Sequence, residues 1–161
     1  SNMTEQLAAL GCLLLAGKGG SATEAFYQQW QRERLVIDKW FAIRVSMAAP
    51  EDAVATVEKL TQHSDFEITN PNRFRATLGA LSSNSAGFHQ ASGAGYTLLA
   101  DWLIKLDPLN PQTTARMCSA FDTWHRYDDK RQTLIGYQLR RILATKGLSQ
   151  DTTEMISRIL G

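Results

Sequence analysis

Hydrophobic residues recur at helical spacing along most of the chain, and this pattern predicts an all-α protein. In residues 96–106, for example, Leu99, Leu103 and Leu106 lie three or four positions apart, which places them on one face of a helix. The alternation of apolar and polar residues that is typical of half-buried strands is nearly absent. Strands are therefore not expected to form the core.

Helix starts are marked most clearly in the second half of the chain. Asn70 and Asn110 are each followed by proline, which pairs an N-cap residue with a proline at the first helical position, and Asp128 and Ser149 are further N-cap candidates. The starts at Asn70, Asn110 and Ser149 are 40 and 39 positions apart, with a second helical segment in each interval. This is the period of armadillo and HEAT repeats. The sequence thus predicts a solenoid of stacked helix pairs, with a closed helical bundle as the alternative.

The first half of the chain gives less regular signals. Residues 7–15 predict one helix, and Ser21 with Glu24 forms a capping-box pattern that predicts the start of a second. Residues 37–45 are apolar around most of the helix circumference, which predicts a largely buried helix. Pro50 is expected to open the next one.

One long loop is predicted at residues 82–95, which are rich in Ser, Gly and Ala. Loops of this length inside compact domains are usually functional or mobile. Gly93 and Gly95 lie in this segment without a preceding strand, so they do not indicate a dinucleotide-binding turn.

Charge gives no support for a nucleic-acid or membrane-surface partner. The 161 residues include 17 basic and 16 acidic ones, for a formal charge of +1, and no long block of one sign occurs. The hydrophobic content of 43% is typical of folded globular chains, so we expect a soluble protein with a real core.

The two cysteines, Cys12 and Cys118, are too few for a disulfide framework and have no metal-ligand spacing. We expect both to be small buried apolar residues in the reducing cytoplasm. A lipid-anchored protein is an alternative, because a small residue precedes Cys12 in an apolar run. Glu5 stands where a signal peptide would carry basic residues, which argues against that alternative.

No pattern of catalytic residues is found, so no catalytic residue and no metal ligand is predicted. His63, His89 and His125 are the only histidines, and none has zinc-ligand spacing. A P-loop and a Gly-x-Ser-x-Gly nucleophile elbow are also absent from the sequence. Taken alone, the chain does not resemble an enzyme.

Arginine placement is the most distinctive chemical feature. Arg73 and Arg75 follow the helix start at Asn70, where the helix dipole disfavours a cation by about 0.3–1 kcal/mol. Arg116 follows the start at Asn110 in a similar way. Two such helix starts facing one groove would form an anion site, since guanidinium groups bind carboxylates through two parallel hydrogen bonds. The alternative is ordinary surface ion pairing, with these candidate partners: Asp65, Glu67, Asp101 and Asp122.

Six segments of the chain form a recognisable set: FYQQWQRERLVIDKWFAIRVS, ITNPNRFRATLGAL, GFHQASGAGYTLLADWLIKLD, NPQTTARM, HRYDDKRQ and LSQDTTEMISRIL. In this order, they resemble the C-terminal domain of bacterial aminopeptidase N, the alanyl aminopeptidase type of zinc metallopeptidase. The resemblance runs from about Leu7 to the end of the chain. The sequence has Asn84-Ser85 where the family typically has Asn-Pro, and Ser92-Gly93 where Asp-Gly is usual. These departures concern the predicted loop and do not change the resemblance to the family.

The resemblance implies a fold and a division of labour. The fold would be an all-α, right-handed superhelix of the armadillo/HEAT kind, which closes over a separate catalytic domain that binds zinc through His-Glu-x-x-His and a further Glu. This chain lacks that motif, so by itself it is expected to be inactive and to contain no cofactor. Arg75 and Arg116 match positions that face the chamber where the C-terminal part of a bound peptide lies. Arg73 is expected to form a structural or interdomain ion pair.

The expected partners are the other domains of the same parent chain and peptide substrates. Residues 1–3 would be a tag remnant and an artificial start, and residues 4–161 a single helical domain of a larger cytoplasmic aminopeptidase. A free-standing solenoid that binds peptides or proteins as an adaptor remains the alternative, because the helical period alone requires no parent enzyme.

Overall fold

The fold was analysed in a computed structural model that describes residues 2–161. Within this part of the chain, regular structure is entirely helical and no strand is formed. The predicted tag remnant falls partly on Ser1, which lies outside the described residues. The α-helices are α1 (Asn2–Leu15), α2 (Gly20–Trp30), α3 (Arg34–Ser46), α4 (Ala53–Thr61), α5 (Pro71–Phe74), α6 (Ala80–Ser83), α7 (Ser85–Phe88), α8 (Ala94–Leu106), α9 (Pro111–Met117), α10 (Asp129–Leu143) and α11 (Gln150–Leu160).

Shorter helical turns connect several of these elements. Pro50–Asp52 forms a 3-10 turn that leads into α4, as the proline at its start predicts. Arg75–Gly79 is a π-helical segment that joins α5 to α6, so residues 71–83 form one interrupted helix. Two further 3-10 turns, Cys118–Phe121 and Trp124–Arg126, follow α9.

The chain divides into two compact units, each with its own apolar core. The first unit ends at Gly87 and the second is Phe88–Gly161. In the first unit, α3 is the central element, because Ile37, Trp40, Phe41 and Val45 are all almost completely buried, as the sequence predicts. Burial of such large side chains contributes about 1.5–3 kcal/mol each relative to exposure. The second unit buries these residues: Tyr96, Leu99, Leu103, Phe121, Ile135, Leu139, Ile142 and Ile156.

Four predicted helix starts are confirmed by their side-chain caps. In each, a side-chain oxygen accepts a hydrogen bond from the backbone N–H three residues later, which satisfies a donor that has no partner within the helix. The donor–acceptor distances are 3.1 to 3.2 Å. The four N-cap residues are Asn70, Asn110, Asp128 and Ser149.

The predicted capping box at Ser21 is wrong. Helix α2 begins at Gly20, and its N-cap is Gly19, two residues before the predicted one, without a side-chain hydrogen bond. The Thr23 hydroxyl instead donates to the Gly19 carbonyl oxygen at 2.6 Å. A Cβ atom on residue 19 would lie 2.6 Å from Leu14 Cδ2, so a larger residue there would have to displace the Leu14 side chain of α1. The start of α2 thus has a close tertiary contact in place of a side-chain cap.

The predicted long loop at residues 82–95 is also wrong. The preceding helix continues through α6, and α7 follows it directly. Asn84 is buried between these helices, and its amide group donates to the carbonyl oxygens of Val45 and Ala48 at 3.0 and 2.9 Å. Its side-chain oxygen accepts from the Gly87 N–H at 3.1 Å. These bonds fix the turn after α6 against the end of α3.

Two glycines near the start of α8 have geometric roles and form no nucleotide-binding turn. Gly93 is the N-cap and has φ +77°, a left-handed conformation that favours glycine. A Cβ atom on Gly95 would lie 2.5 Å from the Phe88 carbonyl oxygen, so only glycine allows this approach of the two backbones.

A buried carboxylate organises the end of the second unit. Asp107, which follows α8, accepts hydrogen bonds from the Ser149 N–H, the Ser149 hydroxyl and the Thr152 hydroxyl at 2.6 to 2.7 Å. These donors lie at the start of α11, where the helix dipole also favours a negative charge. Three charge-assisted hydrogen bonds thus offset the desolvation of Asp107.

No helix among residues 2–161 combines the length and the apolar character needed to cross a bilayer.

The cysteines differ in exposure, so the prediction that both are buried is wrong for Cys12. Helix α1 buries its neighbours Leu10 and Gly11, and Cys12 lies on the exposed side. Cys118 is fully buried, and desolvation raises the pKa of its thiol to about 12.

We therefore expect one of the two thiols to react rapidly with a disulfide reagent at neutral pH. Cys12 should react in the folded protein, and Cys118 only after unfolding, because the thiolate is the reactive form. Titration with Ellman's reagent, with and without denaturant, measures this. Two rapid equivalents in the native protein would contradict the buried position of Cys118.

Candidate functional site

Arg75 lies on the exposed side of the helix that begins after Asn70. Its guanidinium group donates to the side-chain oxygen of Asn72 at 2.7 Å, a contact within its own helix. The π-helical segment Arg75–Gly79 begins at this residue. Since π-turns inside α-helices occur frequently at functional sites, this feature supports Arg75 as a candidate site residue.

Arg73, two residues earlier, has a different environment and is only 4% exposed. Its Nε atom lies 2.6 Å from Asp38 Oδ1 in an ion pair, and its guanidinium group also donates to the Asp65 carbonyl oxygen. The guanidinium carbon lies 4.9 Å from the centre of the Phe41 ring. The predicted structural ion pair is confirmed, and both partners belong to the first unit.

Arg116 lies exposed on α9 in the second unit. It lines a shallow hollow of about 300 Å³ together with Gln112, Met155 and two acidic residues of α11, Asp151 and Glu154. Within residues 2–161, its guanidinium group has no hydrogen bond and no ion pair. Its five donors are therefore available to a ligand.

Surface ion pairs do not account for these two arginines. Among the described residues, no carboxylate lies within ion-pairing distance of Arg75 or Arg116. Asp101 pairs instead with Arg141 at 2.7 Å. The carboxylate of Asp65 accepts from the Tyr27 hydroxyl at 2.7 Å. Among the described residues, Arg75 thus has no carboxylate partner, whereas Arg116 shares its hollow with the carboxylates of Asp151 and Glu154 without pairing with either.

The histidines have structural surroundings. His89 stacks on Tyr127 with ring centres 4.1 Å apart, and its Nδ1 atom is 2.6 Å from the Tyr96 hydroxyl oxygen. Burial and the nearby Arg131 lower the pKa of His89. His125 packs on Trp124. No group of three or more His, Cys, Asp and Glu side chains within residues 2–161 is placed to bind a metal ion.

Sequence reasoning missed a second polar feature, a cleft of about 490 Å³ in the first unit. Arg44, Lys59 and His63 line it together with Glu24 and Asp52. These residues come from α2, α3, α4 and their connections, so no short motif contains them. Only the helical periodicity of Trp40 and Arg44, one turn apart on α3, is visible in the sequence.

A comparison with protein families identifies the fold family of the chain. A family described as a domain of unknown function (DUF3458_C) with ARM repeats matches residues 1–161.

Several characterised proteins are similar over nearly the whole chain. The aminopeptidases N of Caulobacter vibrioides and Haemophilus influenzae are 42% and 38% identical to it, and each alignment covers 99% of the chain. The crystal structure of Legionella pneumophila aminopeptidase A in complex with aspartic acid superposes with a TM-score of 0.90 and 34% identity over 98% of the chain. The chain spans only 19% of the length of each of these proteins.

The chain belongs to this ARM-repeat family and is homologous to the C-terminal region of aminopeptidase N. The predicted fold class, an all-α solenoid of the armadillo/HEAT kind, is confirmed by this assignment and by the helical structure. The predicted resemblance to the C-terminal domain of aminopeptidase N is confirmed as well.

The different environments of Arg73 and Arg75 predict different effects on stability. Arg73→Met leaves Asp38 without its partner, and we expect it to lower the free energy of unfolding by about 3 kcal/mol, as for other broken buried pairs. Arg75→Met, the matched control on the same helix, should change it by less than about 0.5 kcal/mol. Urea denaturation followed by tryptophan fluorescence measures both. Equal losses would show that burial does not distinguish the two arginines.

Proposed function

We propose that this chain is the non-catalytic C-terminal domain of a zinc-dependent aminopeptidase N that removes N-terminal residues from peptides. In this proposal, the domain forms part of the wall of the peptide chamber and helps to bind the peptide. The observation that carries it is the pair of exposed arginines, Arg75 and Arg116, neither of which has a carboxylate partner within residues 2–161. Homology to aminopeptidases N five times as long supports a parent chain with further domains.

The role proposed for each arginine, considered within its own unit, is to bind the C-terminal part of a peptide through a carboxylate. A guanidinium group can donate two parallel hydrogen bonds to a carboxylate, and such charge-assisted bonds are roughly twice as strong as neutral ones. Arg75 is also held by Asn72. That bond restricts the side chain before a ligand binds, which lowers the entropic cost of binding.

Zinc belongs to the parent protein in this proposal and has no place in this chain. The described residues contain no side-chain cluster that fits a zinc ion, and the sequence has no His-Glu-x-x-His. When bound in a catalytic domain, zinc polarises the scissile carbonyl and activates water. The contribution of this chain would be to hold the far end of the substrate and to present positive charge to it. A cytoplasmic location is proposed with the same parent enzyme.

Replacement of either arginine in the full-length enzyme should affect peptides selectively. Arg75→Ala or Arg116→Ala removes a charged hydrogen bond, which is worth about 1.5–3 kcal/mol when desolvated. We therefore expect kcat/KM for a tripeptide to fall roughly tenfold to a hundredfold. An amino-acid p-nitroanilide, which has no carboxylate, should be cleaved at the original rate.

Arg126→Ala is the matched control, because Arg126 is also exposed and lines none of the hollows described above. Equal effects of Arg75→Ala on both substrates would reject carboxylate recognition. Unchanged kinetics together with stable binding of a separate partner protein by the isolated chain would favour the adaptor function instead.

The isolated 161-residue chain should have no aminopeptidase activity and bind no stoichiometric zinc. The reason is that residues 2–161 supply neither a ligand set for zinc nor a general base beside one. Metal analysis after dialysis and turnover of an alanyl chromogenic substrate test this. Turnover by the pure chain that a chelator abolishes would refute the proposed division of labour.

A further inference from the structure

The polar cleft in the first unit presents two strong hydrogen-bond donors that have no hydrogen-bond acceptor among residues 2–161. Arg44 packs its guanidinium group over the Trp40 ring, with its central carbon 4.7 Å from the ring centre. Within residues 2–161, this guanidinium group makes no hydrogen bond and no ion pair. Arg44 is half-buried, and desolvation lowers its pKa. A charged group that loses water without gaining a partner is costly, and an anionic ligand would offset this cost.

His63 supplies the second donor, and its tautomer is fixed by the backbone. Its Nδ1 atom accepts a hydrogen bond from the Asp65 N–H at 3.0 Å, so in the neutral ring the proton is on Nε2. The ring is held by Tyr27, Trp40 and Phe41, with centre-to-centre distances of 4.9 to 5.5 Å. The Nε2–H group has no protein acceptor among the described residues. Arg44 and His63 therefore contact the same tryptophan and line the same cleft.

The same cleft also contains negative charge. Glu24 and Asp52 line it beside Arg44 and Lys59, so the two carboxylates balance the two cations. Glu24 is close enough to raise the pKa of Arg44, although it forms no ion pair with it. A purely anionic ligand would be repelled by these carboxylates. A molecule with one negative and one positive group would match both sets of side chains.

We propose that this cleft binds a small zwitterion of the amino-acid or dipeptide class. The ligand carboxylate would accept hydrogen bonds from Arg44, Lys59 and His63, and its ammonium group would lie near Glu24 and Asp52. The volume of about 490 Å³ lies within the range of roughly 300–1,000 Å³ that is usual for small-molecule sites. Neither Arg75 nor Arg116 lines the cleft. The proposal thus does not depend on the peptide-binding role of those residues.

The test is titration of the isotopically labelled 161-residue chain followed by heteronuclear NMR. L-alanine and L-alanyl-L-alanine are the probes, and acetate and methylammonium are the single-charge controls. We expect saturable shifts of the Trp40 indole N–H, which donates to the Thr23 carbonyl oxygen beside the cleft. At least one zwitterion should bind tenfold or more tightly than acetate. The absence of saturable shifts, or equal affinity for acetate, would overturn the proposal.

Variants connect this binding to the named residues. Arg44→Met keeps much of the contact with Trp40 but removes the donors, and should weaken zwitterion binding at least tenfold. His63→Phe keeps an aromatic ring and removes the Nε2–H, and it serves as the second variant if Arg44→Met does not fold. Arg126→Met, in the other unit, is the matched control and should bind as the original chain does. Unchanged affinity in a folded Arg44→Met or His63→Phe variant would overturn the assignment of the site.

Discussion

The first unit depends on the buried guanidinium group of Arg73. It pairs with Asp38 of α3, donates to the carbonyl oxygen of Asp65, and packs on Phe41. These contacts join the central helix, the segment after α4 and the helix that begins at Asn70. The unfavourable position of a cation near a helix start is thereby offset by three oxygen acceptors, one of them a carboxylate. Arg75, two residues on, lies on the exposed side of the same helix and donates to Asn72.

The second unit also contains a buried charged group, which is negative instead of positive. Asp107 is buried, and its carboxylate is satisfied by the backbone and hydroxyl donors at the start of α11. The loop after α8 and the last helix are thus connected by charge-assisted hydrogen bonds. In both units, one buried charge with several partners fixes the relative position of elements that are far apart in sequence. Apolar burial supplies most of the stability, and these charges supply specificity of arrangement.

The sequence was informative wherever the signal is local. The caps at Asn70, Asn110, Asp128 and Ser149 could be predicted, since an N-cap bonds to the N–H only three residues away. The N-cap at Gly19 could not, because no side chain caps this helix and its close contact is with Leu14 of another helix. The ordered turn at Asn84 was missed for the same reason: its acceptors are 36 and 39 residues distant. Likewise, Arg75 and Arg116 could be singled out from their spacing, whereas the cleft around Arg44 needs three helices to form.

The π-helical segment affects how residues of this family should be matched to one another. A π-turn closes its hydrogen bond over one more residue than an α-turn. If a relative has a regular helix here, one residue must be absent from its counterpart of Arg75–Gly79. Successive residues of an α-helix are rotated by about 100° around its axis. A difference of one residue therefore shifts every following side chain by that angle. In such a relative, counting forward from the counterpart of Asn70 leads to the counterpart of Arg75. Counting back from the counterpart of Asn84 leads instead to an adjacent residue, which lies on a different face of the helix. An alignment gap placed between Asn70 and Arg75 would therefore match Arg75 to the wrong residue of the relative.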